Sequence, residues 1–240
     1  MKYYAISEKG SRAVNEDGLG YLEAFGRHLF VVADGLGGQG LGDVASRFAV
    51  SYILEQFSSA DIPMAQLFSE ALYKTHEGLC SLQKECRKEN TMMSTAVLAA
   101  VEKDRVTVTN LGDSRVYLFF SNGKVRRTID HSVPQMLALA GEIREKEIAG
   151  HPDRNKLLQA LGSPNEELKF KIVSQPIDDI KAMLLCTDGF WEYSDEKTMQ
   201  TILNRADSPQ QWLKELEASV LNNAGNQDID NYSAIGILMD

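Results

Sequence analysis

The hydrophobic positions of this chain change period several times, and each change marks an element. Extended apolar runs occupy residues 2–7 and 18–33. Helical spacing follows over 43–57, with Val44, Phe48 and Tyr52 on one side and Ala45, Ala49 and Ile53 beside them. Asp61-Ile62-Pro63 offers a cap and an early proline for a second long helix, whose core face is Leu67, Ala71, Leu72, Leu79 and Leu82. The period then falls to two. Residues 95–101, 105–111, 114–120 and 124–128 read as strands, with Asn122-Gly123 a two-residue hairpin turn between the last two. Ser132-Val133-Pro134 opens a short helix, and 141–156 is polar without a clear period. Strands near 168–174 and 181–187 precede helices starting at Ser194 and at Ser208-Pro209, and a strand over 233–239 closes the chain. Mostly antiparallel strands with helix pairs inserted between them predict an α+β fold, not a repeated βαβ one. Helices from two separate insertions would cover two faces of a stacked pair of sheets.

Aspartates recur at the ends of these strands. Residues 28–33 run into Asp34-Gly35, 106–111 into Gly112-Asp113, and 182–187 into Asp188-Gly189, while Asp230-Asn231 stands just before the last apolar run. A carboxylate at a strand end is held rigidly where a ligand can reach it. Several that converge repel one another unless a cation neutralises them, and hard oxygen ligands of this kind suit Mg²⁺ or Mn²⁺.

Composition narrows the setting. With 25 Lys and Arg against 34 Asp and Glu, the net charge is −9, and no basic cluster exceeds Arg126-Arg127. That argues against nucleic acid or an anionic membrane as the main partner. The three cysteines form no CxxC pair and read as reduced thiols. No signal h-region or membrane-length apolar run stands out, so a cytoplasmic protein is expected. Nothing resembles a linker, so residues 1–240 are expected to form a single domain.

Each motif has a plainer rival. An Asp-Gly at a strand end is commonly only a turn. Gly37, Gly38, Gly40 and Gly42 could suggest a phosphate cradle, yet neither the Lys-Ser/Thr of a P-loop nor GxGxxG spacing is present.

Taken in order, the motifs carry a resemblance. Residues 12–17, Arg-Ala-Val-Asn-Glu-Asp, resemble the RxxNED signature of the metal-dependent protein phosphatases, the PPM or type 2C family. Residues 34–38 resemble its DGxGG motif. Gly112-Asp113-Ser114-Arg115, Asp130-His131-Ser132, residues 158–162, residues 186–189 and Asp230-Asn231-Tyr232-Ser233 match later motifs in the family's order. The resemblance runs from about residue 5 to the end and implies an αββα four-layer sandwich. It also implies two core Mn²⁺ or Mg²⁺ ions at one edge of the sheets, with a third, weaker one beside them.

Position by position, the resemblance makes Asp34 a bridge between two metals and Gly35 a carbonyl ligand, with Asp188 and Asp230 completing the pair. Glu16 and Asp17 would act through water on the metals, with Asn231 in support. Asp113 matches the aspartate that helps hold a third ion, and Glu192 falls where some relatives place a further acid. Arg12 would grip the substrate phosphate through its planar guanidinium. The activity implied is hydrolysis of phosphoserine and phosphothreonine in phosphorylated proteins, by direct attack of metal-activated water. Such an enzyme opposes Ser/Thr kinases and is expected to be a monomer.

The chain departs from the family in places. Leu36 stands where eukaryotic relatives carry a histidine, which points to a bacterial-type enzyme. Met93-Ser94-Thr95-Ala96 replaces the usual MGTT, and 141–155 corresponds to the variable flap. His28, His76, His131 and His151 are expected to pack or hydrogen-bond and not to ligate metal. Two rivals remain: a non-catalytic relative, disfavoured because all four aspartates are kept, and a phosphatase for small phosphomonoesters.

Overall fold

The computed structural model describes residues 1–37, 41–59, 61–164 and 167–239. Three strands come first: β1 (Lys2–Glu8), β2 (Asp17–Ala24) and β3 (Arg27–Leu36). Two long helices follow, α1 (Gly42–Ser59) and α2 (Met64–Cys86). Next come β4 (Met93–Ser94), β5 (Ala96–Val101), β6 (Arg105–Leu111), β7 (Arg115–Phe120) and β8 (Val125–Arg127). The chain continues through α3 (Val133–Leu139), a 3-10 turn (Glu145–Glu147), β9 (Val173–Pro176) and β10 (Ile180–Cys186). It ends with α4 (Asp188–Trp191), α5 (Glu196–Leu203), α6 (Pro209–Ala224) and β11 (Tyr232–Leu238).

The strands form two sheets. One has the order β1-β11-β10-β7-β8 and the other β2-β3-β5-β6-β9, with β4 pairing onto the end of β3. Every named pairing is antiparallel.

Alternation along the central strands distributes side chains to different layers. On β3, Leu29, Val31 and Ala33 face Ala45, Ala49, Ile53 and Phe57 of α1 and Leu67, Leu72 and Leu79 of α2. Phe30 and Val32 point the other way, into a layer shared with Val116 and Leu118 of β7, Met183 and Leu185 of β10, and Ile235 and Ile237 of β11. The far face of that second sheet carries Tyr117, Phe119 and Leu184 against Trp212, Leu213 and Leu216 of α6. The stack is helix, sheet, sheet, helix. Strands buried on both faces lose the apolar/polar alternation that a half-exposed strand shows, which is why β3 and β10 read as continuous apolar runs.

Three expectations need correction. The run at 18–33 is two strands, because Phe25 (φ 54°) and Gly26 (φ 68°) both adopt the left-handed conformation that a tight two-residue hairpin turn requires. Residues 168–172 are outside the ladder, which starts at Val173 opposite Val108. Leu168, Phe170 and Ile172 pack against the helix-side core, and the Lys171 carbonyl accepts from the Thr109 hydroxyl at 3.0 Å. On α1 the core stripe is Ala45, Ala49, Ile53 and Phe57, while Val44 is exposed and Phe48 stacks on Tyr52.

Candidate metal centre

The site begins with an unfavourable pairing. In the β2–β3 hairpin Asp17 lies directly opposite Asp34, and like charges placed so repel. The backbone fixes both. The Asp34 amide donates to Thr95 Oγ1 at 2.9 Å, and its carbonyl accepts from the Thr95 amide at 2.8 Å and from Ser94 Oγ at 3.0 Å. Gly35 is required by close approach: a Cβ there would lie 2.1 Å from the Gly42 oxygen and 2.5 Å from the Glu16 oxygen. No other residue lets β3, the Glu16 loop and the start of α1 meet at this point.

Two further acids arrive from the other sheet. Asp188 is the first residue of α4, just past β10, and Oδ1 accepts from the Gly189 amide at 2.7 Å. Asp230 precedes β11, and its Oδ1 accepts from the Asn231 amide at 2.8 Å. Asn231 itself fastens the β1–β2 loop, accepting from the Glu16 amide and donating to the carbonyls of Lys9 and Val14. That loop carries Arg12, whose guanidinium donates to Asp230 Oδ2 at 2.6 Å. Asp113 sits in the turn after β6, with its carbonyl held by Trp191 Nε1 at 3.0 Å. His131 braces the same turn, exchanging backbone and ring hydrogen bonds with Gly112.

One cleft of about 380 Å³ is lined by Arg12, Glu16, Asp34, Gly35, Asp113, Asp188, Asp230 and Asn231, together with Ala13, Val14, Leu36, Gly37, Asn155 and Leu157. Arg12 is the one cationic side chain among these lining residues. Several of these acids accordingly hold their protons tightly. Burial, then repulsion from Asp188, pushes Asp34 and Asp113 well above the usual carboxylate range. Burial, then Asp230, brings Asp188 up to about 6, and burial is the leading cause in raising Asp17 to about 7.

Two buried oxygens, Oδ1 of Asp17 and Oδ1 of Asp113, have no hydrogen-bond partner among the described residues. Buried carboxylate oxygens without a hydrogen-bond partner, in a repulsive cluster, suit the ligation of a divalent cation. Among the described residues no three acidic, histidine or cysteine side chains already form a finished cage around one point. A magnesium-type site does not need one, because that ion keeps several waters and takes one or two carboxylates.

The structure thus brings together Arg12, Glu16, Asp34, Gly35, Asp113, Asp188, Asp230 and Asn231. Asp17 lies beneath the cleft, its Oδ2 accepting from Thr187 Oγ1 at 3.0 Å. Glu192 is outside the lining residues and pairs with Arg154 at 2.6 Å, its side chain only 9% exposed. Gly38 and Gly40 lie outside the described residues. Asn155 ends the segment read from the sequence as the flap, while Leu157 carries no motif and was missed; both reach the cleft through the path of 141–157.

A family profile described as protein phosphatase 2C matches residues 7–231. A serine/threonine phosphatase stp of Listeria welshimeri is 33% identical over 205 residues, covering 79% of this chain and 77% of that one. The serine/threonine protein phosphatase PstP of Mycobacterium tuberculosis is 29% identical, covering 88% of this chain and 40% of its own longer one. The crystal structure of serine/threonine phosphatase Stp1 from Staphylococcus aureus superposes with a TM-score of 0.91 over 99% of this chain and 94% of that one, at 24% identity. With its sandwich, its acidic cleft and a profile match over most of its length, the chain belongs to the protein phosphatase 2C family.

Proposed function

We propose that this chain is a single catalytic domain that hydrolyses phosphoserine and phosphothreonine in phosphorylated proteins, opposing Ser/Thr kinases as a cytoplasmic monomer. The observation that carries the reading is the convergence of Asp34, Asp113, Asp188 and Asp230, from both sheets, on one cleft with Arg12 at its side. Enzymes of this family are metal-dependent. In our assignment Asp34, the Gly35 carbonyl, Asp188 and Asp230 would hold two Mn²⁺ or Mg²⁺ ions. Asp113 serves a third, while Glu16, Asp17 and Asn231 support the set. Glu192, paired with Arg154, is the least engaged of the acids we assign. When bound, such ions lower the pKa of water and neutralise charge that develops on the phosphoryl oxygens.

The chain's own residues have defined parts in this scheme. Arg12 is 60% exposed at its side chain and pairs with Asp230 through one nitrogen, which leaves donors for two phosphate oxygens. Asn231 fixes the loop that aims it. Ser94 and Thr95 hold the Asp34 backbone, so its carboxylate projects into the cleft without reorganising. Among the described residues no histidine lines the cleft, and Leu36 follows Gly35, so in this reading water would supply the proton to the departing alkoxide. Among the described residues no helix is long and apolar enough to cross a membrane.

The test is phosphate release from a phosphothreonine peptide and from a chromogenic aryl phosphate, with EDTA and with Mg²⁺ or Mn²⁺ restored. Metal-dependent turnover of both, with the peptide preferred in kcat/KM, supports the assignment. Turnover of the aryl ester with no peptide hydrolysis would favour a small-ester phosphatase, and no turnover with metal would favour a non-catalytic relative.

A further inference from the structure

Two acids of the cleft stand just past the end of the β7–β10 ladder. The register closes at Cys186 opposite Arg115, and two residues further it would set Asp188 against Asp113. Like charges opposed in this way push the chain ends apart. The ladder stops there: Asp188 opens α4, and Asp113 lies in the turn between β6 and β7.

Trp191 spans the two. It is the last residue of α4, three places after Asp188, and is 5% exposed. Its Nε1 donates to the Asp113 carbonyl at 3.0 Å. Among the described residues this is the one hydrogen bond between 187–192 and the turn at 112–114. The other contacts of the turn lead elsewhere. The Gly112 carbonyl accepts from the His131 amide at 2.8 Å and from Asn110 Nδ2 at 3.3 Å. The Gly112 amide donates to His131 Nδ1 at 3.3 Å, and the Ser114 and Thr95 hydroxyls pair at 2.7 Å. None of these reaches the segment that carries Asp188.

The indole is itself pinned. The Arg115 guanidinium lies 3.4 Å from the centroid of its ring. That guanidinium donates to Asp130 at 2.9 and 2.6 Å and to the Tyr117 hydroxyl at 2.9 Å, all of them buried. A planar cation fixed by three hydrogen bonds fixes the ring stacked on its face. Trp191 therefore grips one stretch of chain twice, at residue 113 by its edge and at residue 115 by its face. Asp113 depends on that grip, because its Oδ1 is buried with no hydrogen-bond partner among the described residues. Only the main chain aims that oxygen.

We propose that Trp191 is a positioning residue for the third, weaker ion: its indole N–H sets the Asp113 main chain, and with it the unpartnered carboxylate oxygen, at the separation from Asp188 that lets both serve one cation. This rests on the metal assignment above.

The test is Trp191→Phe, which keeps a ring against Arg115 and removes the donor. Calorimetric Mg²⁺ binding is measured for wild type, Trp191→Phe, Asp113→Ala and the double variant. Trp191→Phe should weaken the weakest site about fivefold, the scale of one lost hydrogen bond, and leave the tighter sites unmoved. The Mg²⁺ concentration for half-maximal phosphate release should rise by the same factor, with the rate recovered at saturating Mg²⁺. In the Asp113→Ala background no carboxylate is left to place, so Trp191→Phe should change metal binding no further. Weakening shared equally by all sites, an unaltered weak site, or a further loss of metal binding in the double variant would overturn the proposal. A second measurement needs no variant. Of the two indole N–H signals in heteronuclear NMR, that of Trp191 should shift as the weakest Mg²⁺ binds, while that of Trp212, bonded to the Met199 carbonyl at 3.2 Å, should stay. A Trp191 signal that ignores this step overturns the proposal too. A wild type that binds no third ion, or no divalent ion at all, would instead sink the metal assignment, and the role of Trp191 with it.

Discussion

Stripped of divalent ions, the protein should lose stability as the solution becomes less acidic, and the cleft supplies the reason. A carboxyl that keeps its proton in the folded state and loses it in the unfolded chain makes the folded state bind more protons, so stability falls as pH rises. Asp188, held up to about 6, and Asp17, held up to about 7, behave this way. Below about pH 4 both states are protonated and there is no penalty, whereas above about pH 7 both are charged and the whole penalty applies. Raising Asp188 from an ordinary value near 3.9 to about 6 amounts to about 3 kcal/mol. For a chain of this size that is a fall of about 6–12 °C in Tm between pH 4.5 and 7.5. Asp34 and Asp113 shift in the same direction and deepen the loss. His131, whose pKa burial lowers, opposes it over part of the range, and carboxyls held low by their partners, such as Glu145, oppose it only toward the acidic end. The assay is thermal unfolding in EDTA across this range, repeated with millimolar Mg²⁺. Magnesium should restore most of the lost Tm at pH 7.5 and little at pH 4.5, where Asp34 and Asp188 keep their protons. A Tm in EDTA that is flat or rises with pH, or a magnesium effect independent of pH, would refute the picture of a repulsive cluster awaiting a cation.

Further outcomes follow from single residues. Arg12→Ala should raise KM and lower kcat/KM about tenfold or more, as expected for a bidentate charged contact, while calorimetric Mg²⁺ binding persists; unchanged kinetics would make Arg12 structural. Asp113→Ala should keep the tight metal sites seen by calorimetry and still slow turnover, and loss of all metal binding would contradict its assignment to a weaker ion. His131→Gln should leave peptide and aryl ester rates in the same ratio, since a missing general acid would depress the alkyl phosphate selectively.

How much of this was legible in the sequence depended on where each residue's constraint lay. The four-layer stack could be inferred because α1 and α2 come between β3 and β4, while α5 and α6 come between β10 and β11. The hairpin at Phe25-Gly26 was hidden because Phe25 is no typical left-handed residue. Residues 168–172 mimic a strand since packing under α2 imposes the same alternation that a ladder would. The aspartates announced themselves at strand ends, where local sequence fixes a carboxylate's position. Asn155, Leu157 and the Arg154–Glu192 pair gave no such signal, because their placement depends on how an irregular segment folds back across the sheet edge.

The most direct measurement is phosphate release from a phosphothreonine peptide by wild type and by Asp34→Ala, at saturating Mn²⁺ and with folding of both verified by circular dichroism. Asp34 is held at its amide by Thr95 and at its carbonyl by Ser94, lies opposite Asp17 and would help hold the core ions of the proposed site. The account predicts metal-dependent hydrolysis by wild type and none above background by the folded variant. Full activity in Asp34→Ala, or wild-type activity that survives EDTA, would contradict it.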